Sequence, residues 1–516
     1  MPVFTGRKGS NIMMLCTTIR EIITGAEAKY SSTDAIRYKK GRKEIESKTY
    51  ADLKKDSESF SRVLAALGQQ GQHIAITGMT SYAWVIAYLG TVNSGSIAVP
   101  LDVSLPADDM LELIDRSDAA VFVADEVRAD VIAQAKERCP KLQYIISMQK
   151  ESSDESGILS LNALLAEHAG AFEYEPSPEQ LATIMFTSGT TGKSKGVMLS
   201  HRNLAENATC LDMKFPEHNT ILSVLPIHHA YCLSMDFLKG FSLGSTICLN
   251  DSLIHMAKNI KLFQPTIILM VPLMIETMAK KLEDAAGLPP EIVKREVFGE
   301  QFTTICSGGA YLPPSMLDLF GKYGITILQG YGMTECSPVI STTVGWNIRK
   351  GSVGQLMPNC KAKTVDEELW VQGSSVMQGY YKMPEETAET LVDGWLRTGD
   401  LGYVDDDGFV YLTGRKKNLI ITKNGENVSP EELENRIGES RLVQEILVRE
   451  SEGIIEAEIF PDLEYTAKKE IRDIPAALQA LIDEYNAGAP AYKRVYRLKV
   501  RDTEFPKTPS KKIKRY

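Results

Sequence analysis

The chain has 516 residues, about three domain-sized units, and 43% hydrophobic with 24% charged residues is ordinary for a globular protein. A formal net charge of −10 argues against a surface built for nucleic acid, and no apolar run approaches the ~20 residues of a membrane-spanning helix. Eight cysteines, at 16, 139, 210, 232, 248, 306, 336 and 360, include no C-x-x-C pair, which excludes a zinc-ribbon or disulfide framework and suits a reducing, cytoplasmic setting.

The first residues carry a short apolar patch followed by charges, so no signal peptide is expected. Residues 1–70 read as a lead-in with helical stretches, the clearest being Thr49–Leu67, where apolar residues recur at helical spacing. From His73 the pattern alternates. HIAITG, SIAVPLD and AAVFVAD read as buried strands, with helices over Ser81–Asn93, Pro106–Arg116 and Val127–Arg138. Such alternation predicts an α/β fold with parallel sheets and helices on both faces. A polar segment, Lys150–Gly157, follows.

The most informative stretch is Thr187–Gly196, TSGTTGKSKG, between the apolar runs Leu181–Phe186 and Val197–Leu199. It holds almost nothing that can pack. Glycines let backbone N–H groups turn toward a ligand, and hydroxyl and ammonium groups add donors, a combination suited to phosphate oxygens. Read alone it is equally a solvated polar loop. The P-loop of nucleotide hydrolases, G-x-x-x-x-G-K-[ST], is excluded on spacing, because its first glycine would fall at Thr187. It is excluded on context as well, since the loop joins two short strands and a helix starts only near Ser200.

TSGTTGKSKG resembles the phosphate-binding loop of the adenylate-forming superfamily: acyl-CoA synthetases, peptide-synthetase adenylation domains and firefly luciferases. Ser194 stands where that pattern has proline, while Thr187, Ser188, Gly189, Thr190, Thr191, Gly192 and Lys195 keep its register. Further on, LPIHHAYCL resembles the superfamily's acyl-pocket wall. Aligned this way, His229 is the pocket candidate and His228 takes the aromatic slot before it. TTICSGGAYLPP resembles SGGAPLPP, where Gly308, Gly309 and Ala310 leave room for a flat adenine ring; by themselves two glycines mark only a tight turn. QGYGMTECSP carries YGMTE, whose tyrosine (Tyr331) the resemblance places by adenine, whose threonine (Thr334) at the α-phosphate and whose glutamate (Glu335) on Mg2+. The TGD of GWLRTGDLGY supplies Asp400 for the ribose hydroxyls. GRKK resembles the GRxD hinge, giving Arg415 a nucleotide contact and Lys417 the hinge position.

Beyond the hinge a small unit of about a hundred residues is expected. NVSPEELENRI predicts a helix start with a capping box, Ser429 as N-cap, Pro430 at N1 and Glu432 at N3. Leu442–Arg449 and Ile454–Phe460 read as paired strands, Ala476–Tyr485 as a helix. Gly425 matches a position near the thiol tunnel. The closing FPKTPSKKIKRY reads alone as a basic tail; it resembles the terminal PKTxxGKIxR motif with Lys511 in place of glycine, which makes Lys512 the catalytic lysine. Lys511 is the alternative.

The resemblance implies a large N-terminal part, residues 1–416, of helix-flanked β-sheets plus a β-barrel-like portion, and a small mobile α+β part, residues 417–516. It implies ATP and Mg2+ as reactants, a small carboxylic acid (fatty or aryl) activated as acyl-adenylate, and transfer to coenzyme A. The alternative acceptor is the phosphopantetheine of a separate carrier protein, loaded with an acyl or amino acid.

Overall fold

The computed structural model describes residues 4–5, 15–41, 44–152, 157–187, 193–215, 218–345, 347–422, 425–507 and 513–515. Two large sheets dominate. In the first, strands Leu181–Thr187, Ile97–Leu101, His73–Thr77, Ala119–Ala124, Tyr144–Ser147 and Ile158–Ser160 lie side by side and parallel. Lys195–Ser200 and then Gly379–Tyr380 extend its other edge antiparallel. Ala119–Ala124 is buried at every position, as a central parallel strand covered on both faces must be.

The second sheet has nine strands. Thr326–Gly332, Thr304–Ser307, Ile267–Met270, Thr220–Ser223, Thr246–Leu249 and Asp34–Lys40 run parallel, with antiparallel strands at both edges. Helices Ile19–Tyr30, Tyr50–Ala66 and Tyr82–Asn93 contribute to one apolar core shared by both sheets. Tyr82–Asn93 is buried nearly all round, and Trp84 stacks on Tyr88 at 5.7 Å. Gly90 has no room for a side chain, because a Cβ there would lie 2.6 Å from the Ser57 carbonyl. A third, antiparallel sheet is built on Cys360–Val365, Glu368–Gly373, Trp395–Val404 and Val410–Arg415.

After residue 417 a separate apolar cluster forms around Leu433, Ile437, Val448, Ile459, Leu478 and Ile482. It lies under strands Val443–Ser451, Ile454–Pro461 and Arg497–Val500 and helices Pro430–Ile437 and Ile474–Gly488. Three ion pairs join this part to one helix of the large part, Pro272–Asp284: Lys280 to Asp462 at 3.0 Å, Asp284 to Lys468 at 2.7 Å, and Glu283 to Arg441. Among the described residues no helix is long and apolar enough to cross a membrane, and all eight cysteines are free thiols.

The helix expected over Thr49–Leu67 spans Tyr50–Ala66, with Thr49 and Asp52 forming a capping box. Two expectations need correction. The lead-in also holds two paired strands, Asp34–Lys40 and Glu44–Thr49, the first of which joins the nine-stranded sheet through distant Thr246–Leu249. The helix of the small part does start at Pro430 after Ser429, yet no capping box forms. The Ser429 hydroxyl instead donates to Glu431 at 3.0 Å, and Glu432 is drawn off by Lys493. The LPIHHAYCL segment runs into a wide helical turn with i→i+5 bonding over Cys232–Leu238, a form recurrent at functional sites.

That turn buries Asp236 completely; its Oδ1 has no hydrogen-bond partner among the described residues, and its Oδ2 accepts the Cys232 thiol at 3.5 Å. Burial pushes the carboxyl up to about 7. Between about pH 4 and 7 the native chain therefore keeps a proton that the unfolded chain has lost, so this group lowers stability as pH rises. Asp236→Asn is expected to remove that decline, on the order of 1–4 kcal/mol, as read by urea unfolding of both proteins at pH 4.5 and pH 8.

Candidate active site

The ends of the glycine-rich loop are fixed by strand pairing. Leu181–Thr187 and Lys195–Ser200 run antiparallel with Thr187 opposite Lys195 and Phe186 opposite Gly196. Ser188, Gly189, Thr190, Thr191 and Gly192 lie outside the described residues. The Thr187 hydroxyl donates to the Lys195 carbonyl at 3.5 Å. The Lys195 ammonium lies 4.8 Å from the centre of the Tyr380 ring, a cation–π contact. Tyr380 in turn donates its hydroxyl to Glu335 at 2.8 Å. A phosphate-loop cation and the carboxylate of YGMTE thus meet across one tyrosine.

Thr334 and Glu335 occupy a single tight turn, Thr334–Cys336, directly after the strand Thr326–Gly332. A web of buried donors holds this turn. Asn207, on the helix His201–Thr209 that follows the phosphate loop, donates to the Val339 carbonyl and the Ser375 hydroxyl, both at 2.8 Å, and accepts from the Val339 N–H at 3.2 Å. Ser234 donates to the Ser337 carbonyl at 3.0 Å, and the Ser337 hydroxyl to the Ser375 carbonyl at 2.9 Å. Gly332 is required here, because a Cβ would sit 1.8 Å from the Pro338 carbonyl oxygen.

On the other side of the same turn, Tyr331 donates to Asp400 Oδ2 at 2.7 Å, and Arg415 Nε meets Asp400 Oδ1 at 2.6 Å. Asp400 and Arg415 face each other across paired strands. Burial first, then the Asp400 charge, pushes the Tyr331 phenol well above its usual range, so it stays a donor. Each carboxylate oxygen of Asp400 has two lone pairs, so it can accept further O–H donors beside these partners. Lys417, two residues on, is held below the usual lysine range by partial burial and by its cationic neighbours Arg415 and Arg515.

Gly308, Gly309 and Ala310 leave the strand Thr304–Ser307, which pairs in parallel with the strand carrying Tyr331. Ligands in open α/β sheets bind at such carboxyl ends. Gly308 is buried against the Tyr231 ring, where a Cβ would come within 3.2 Å, and Gly309 turns with φ +86°. Tyr231 is fixed by its hydroxyl bond to the Cys306 carbonyl at 3.2 Å. His229 is exposed; His228 lies behind it with ring centres 4.2 Å apart and its Nε2 3.7 Å from Asp102. Gly425 sits in an exposed turn at φ +81°. Lys511 and Lys512 lie outside the described residues, between the pairing of Lys507 with Ile513.

Tyr331, Glu335, Lys195, Asp400 and Arg415 are therefore drawn together, with Gly308–Ala310 on the neighbouring strand end. Tyr380 and Asn207 were not found from the sequence. Their roles come from partners 45 and 132 residues away, and neither sits in a recognisable motif. A Mg2+ ion fits Glu335: Tyr380 engages one carboxylate oxygen and the other can bind a hard cation. Among the described residues no group of three metal-ligating side chains exists, so such an ion would take its remaining ligands from phosphate and water.

Donors gathered at the ends of parallel strands, with a second, small apolar core formed after residue 417, define an adenylate-forming α/β enzyme. Residues 25–381 match the family described as AMP-binding enzyme, and residues 417–516 match the AMP-binding enzyme C-terminal domain. The chain belongs to the AMP-binding enzyme family and is an AMP-forming acid–thiol ligase. It is 25% identical to the long-chain-fatty-acid–CoA ligase FadD15 of Mycobacterium bovis, over 88% of this chain and 87% of that protein. To 4-coumarate–CoA ligase-like 6 of Arabidopsis thaliana it is 31% identical, over 71% and 67%. The solved structure of the anthranilate CoA ligase AuaEII with anthranoyl-AMP has the same fold: TM-score 0.83 at 20% identity, covering 97% of this chain and 96% of that one.

Asn207→Ala is expected to strip the Thr334–Val339 turn of its buried partners. The loss should be about 2–4 kcal/mol of unfolding free energy, with at least tenfold weaker ATP binding, measured by urea unfolding and by titration calorimetry.

Proposed function

We propose that this chain activates a fatty or aryl carboxylic acid with MgATP, forming an acyl-adenylate and pyrophosphate, and passes the acyl group to coenzyme A. One observation carries the reading. The turn Tyr331–Glu335 faces nucleoside-type partners, Asp400 and Arg415, at one end and phosphate-type partners, Tyr380 and Lys195, at the other. The relatives' names, a long-chain fatty-acid ligase and a coumarate-ligase-like protein, support a fatty or aryl substrate.

In the first step a carboxylate oxygen attacks the α-phosphorus and pyrophosphate leaves. Both reactants are anions, so the protein's task is to hold them together and offset charge as it develops. Tyr331 and Gly308–Ala310 bound adenine, and Asp400 and Arg415 hold the ribose side. Thr334 binds the α-phosphate, Lys195 and the phosphate-loop amides hold the leaving pyrophosphate, and Lys512 bridges carboxylate and α-phosphate. Glu335 would hold Mg2+, whose charge offsets that of the phosphates. No protein base is required, because the acid is already ionised at neutral pH.

In the second step a thiol attacks the acyl carbon; the carbon–sulfur bond forms as the carbon–oxygen bond to AMP breaks. Residues 417–516 swivel about Lys417 to withdraw Lys512 and admit the thiol past Gly425. His229 lines the acyl side.

Two measurements test this. Exchange of labelled pyrophosphate into ATP should depend on one fatty or aryl acid, and added coenzyme A should then give thioester; exchange with an amino acid alone would overturn the substrate class. Thioester formed only on a carrier protein would replace coenzyme A as acceptor. Lys512→Ala should lower exchange at least 100-fold (~3 kcal/mol of barrier) yet spare thioester formation from preformed adenylate. Equal loss of both half-reactions would remove Lys512 from its role.

A further inference from the structure

The last described residues are held by a cluster of charges that the reaction above does not use. Arg515 donates through one guanidinium nitrogen to Glu434 Oε1 at 2.9 Å and to the Val448 carbonyl at 3.4 Å. Its other terminal nitrogen meets Glu434 Oε2 and lies 3.4 Å from Glu431. Glu434 is nearly buried and also accepts the Val448 N–H at 2.6 Å, so the pair is fixed to the core strand of the small part. Two-point guanidinium–carboxylate contact of this kind sets direction as well as distance.

Glu431 faces both ways. It accepts from Asn418, in the hinge turn Lys416–Asn418, and from Ser429 at 3.0 Å. On the far side of the hinge the Gly414 backbone approaches so closely that a Cβ there would lie 1.9 Å from the Ser429 hydroxyl and 3.1 Å from Glu431. The tail is fixed a second time. Lys507 meets Glu445 at 2.5 Å and Glu504 at 2.6 Å, the Lys514 N–H donates to the Pro506 carbonyl at 2.8 Å, and Ile513 packs with Leu447, Phe460 and Phe505.

We propose that Arg515, gripped by Glu434 and Glu431, is a positioning residue that ties the terminal lysine motif to the hinge. The inference rests on the functional reading above, in which Lys512 serves adenylation. Three residues span at most about 10 Å, so anchoring Arg515 confines Lys512 to a small volume referred to Glu431, and through Asn418 to the hinge itself. Without the anchor the tail gains conformational freedom that must be lost again at each adenylation. Thioester formation, which takes place with Lys512 withdrawn, has no such requirement.

The experiment uses the full chain and compares wild type with Arg515→Lys, Glu431→Gln and the double variant Glu434→Gln/Arg515→Gln, which leaves no unpaired buried charge. Pyrophosphate exchange and thioester formation from preformed adenylate are measured on each, with hydrogen exchange at the Lys514 and Leu478 amides as a substrate-free readout. The double variant should lose about 10- to 100-fold in exchange, a barrier change typical of charge-assisted bonds, and stay within about twofold in the thioester step. Its Lys514 amide should lose protection while Leu478, in the core of the small part, keeps its own. Arg515→Lys and Glu431→Gln should fall between. Undiminished exchange in the double variant, or equal loss of both half-reactions with Leu478 still protected, would overturn the positioning role alone. A wild-type chain silent in both half-reactions would overturn the functional reading and this role with it.

Discussion

Asp400 is a buried carboxylate, 5% exposed, and much of the site is arranged to satisfy it. An ionised carboxylate costs several kcal/mol to bury unless donors and a counter-charge surround it. Here Tyr331 supplies a hydroxyl from the nine-stranded sheet and Arg415 a guanidinium from the strand Val410–Arg415. The Thr398 hydroxyl accepts the Asp400 N–H at 3.0 Å and fixes the backbone around it. One charge therefore ties the strand carrying Tyr331 to a distant hairpin carrying Asp400 and Arg415, and places a residue suited to ribose beside a residue suited to adenine.

The phosphate half of the site depends on a different constraint. Thr187–Gly196 has no apolar side chain that could pack, so only its neighbours can anchor its ends. Strand pairing fixes its ends, and Tyr381 reinforces the exit strand by donating its N–H to the Gly196 carbonyl at 2.7 Å. Asn207 and Asn203, one turn apart on the following helix, reach across to the Thr334–Val339 turn and to the carbonyls of Ser374 and Val376. The helix that leaves the phosphate loop thereby carries the turn that bears Thr334 and Glu335.

The two parts of the chain are joined in a contrasting manner. Helix Pro272–Asp284 meets the small part through three ion pairs in which every side chain except the buried Asp462 is exposed to solvent. The two exposed pairs, Glu283–Arg441 and Asp284–Lys468, contribute about 0–1 kcal/mol each and are readily exchanged for water. Within the small part, by contrast, Glu434 and Arg515 are enclosed, a form of contact that resists separation.

By itself the sequence determined the alternating α/β pattern from His73 onward and the strand–loop–strand setting of Thr187–Gly196, and its motifs singled out Tyr331, Glu335, Asp400 and Arg415 as candidates. Period-two and period-3.6 patterning and short motifs are local, and local information survives in a linear string. It did not determine the strand Asp34–Lys40, whose partner lies some two hundred residues on, nor the bond between Ser429 and Glu431 that replaces the expected capping box. Nor did it determine Tyr380 or Asn207. Each of these acquires its meaning only from a neighbour brought by folding: an isolated tyrosine or asparagine carries no pattern, and a Ser-Pro-Glu-Glu string is satisfied as well by a helix cap as by a hinge. What a residue is able to donate or accept is written in the sequence, but to which partner it does so is decided by the packing that brings the two within 3 Å.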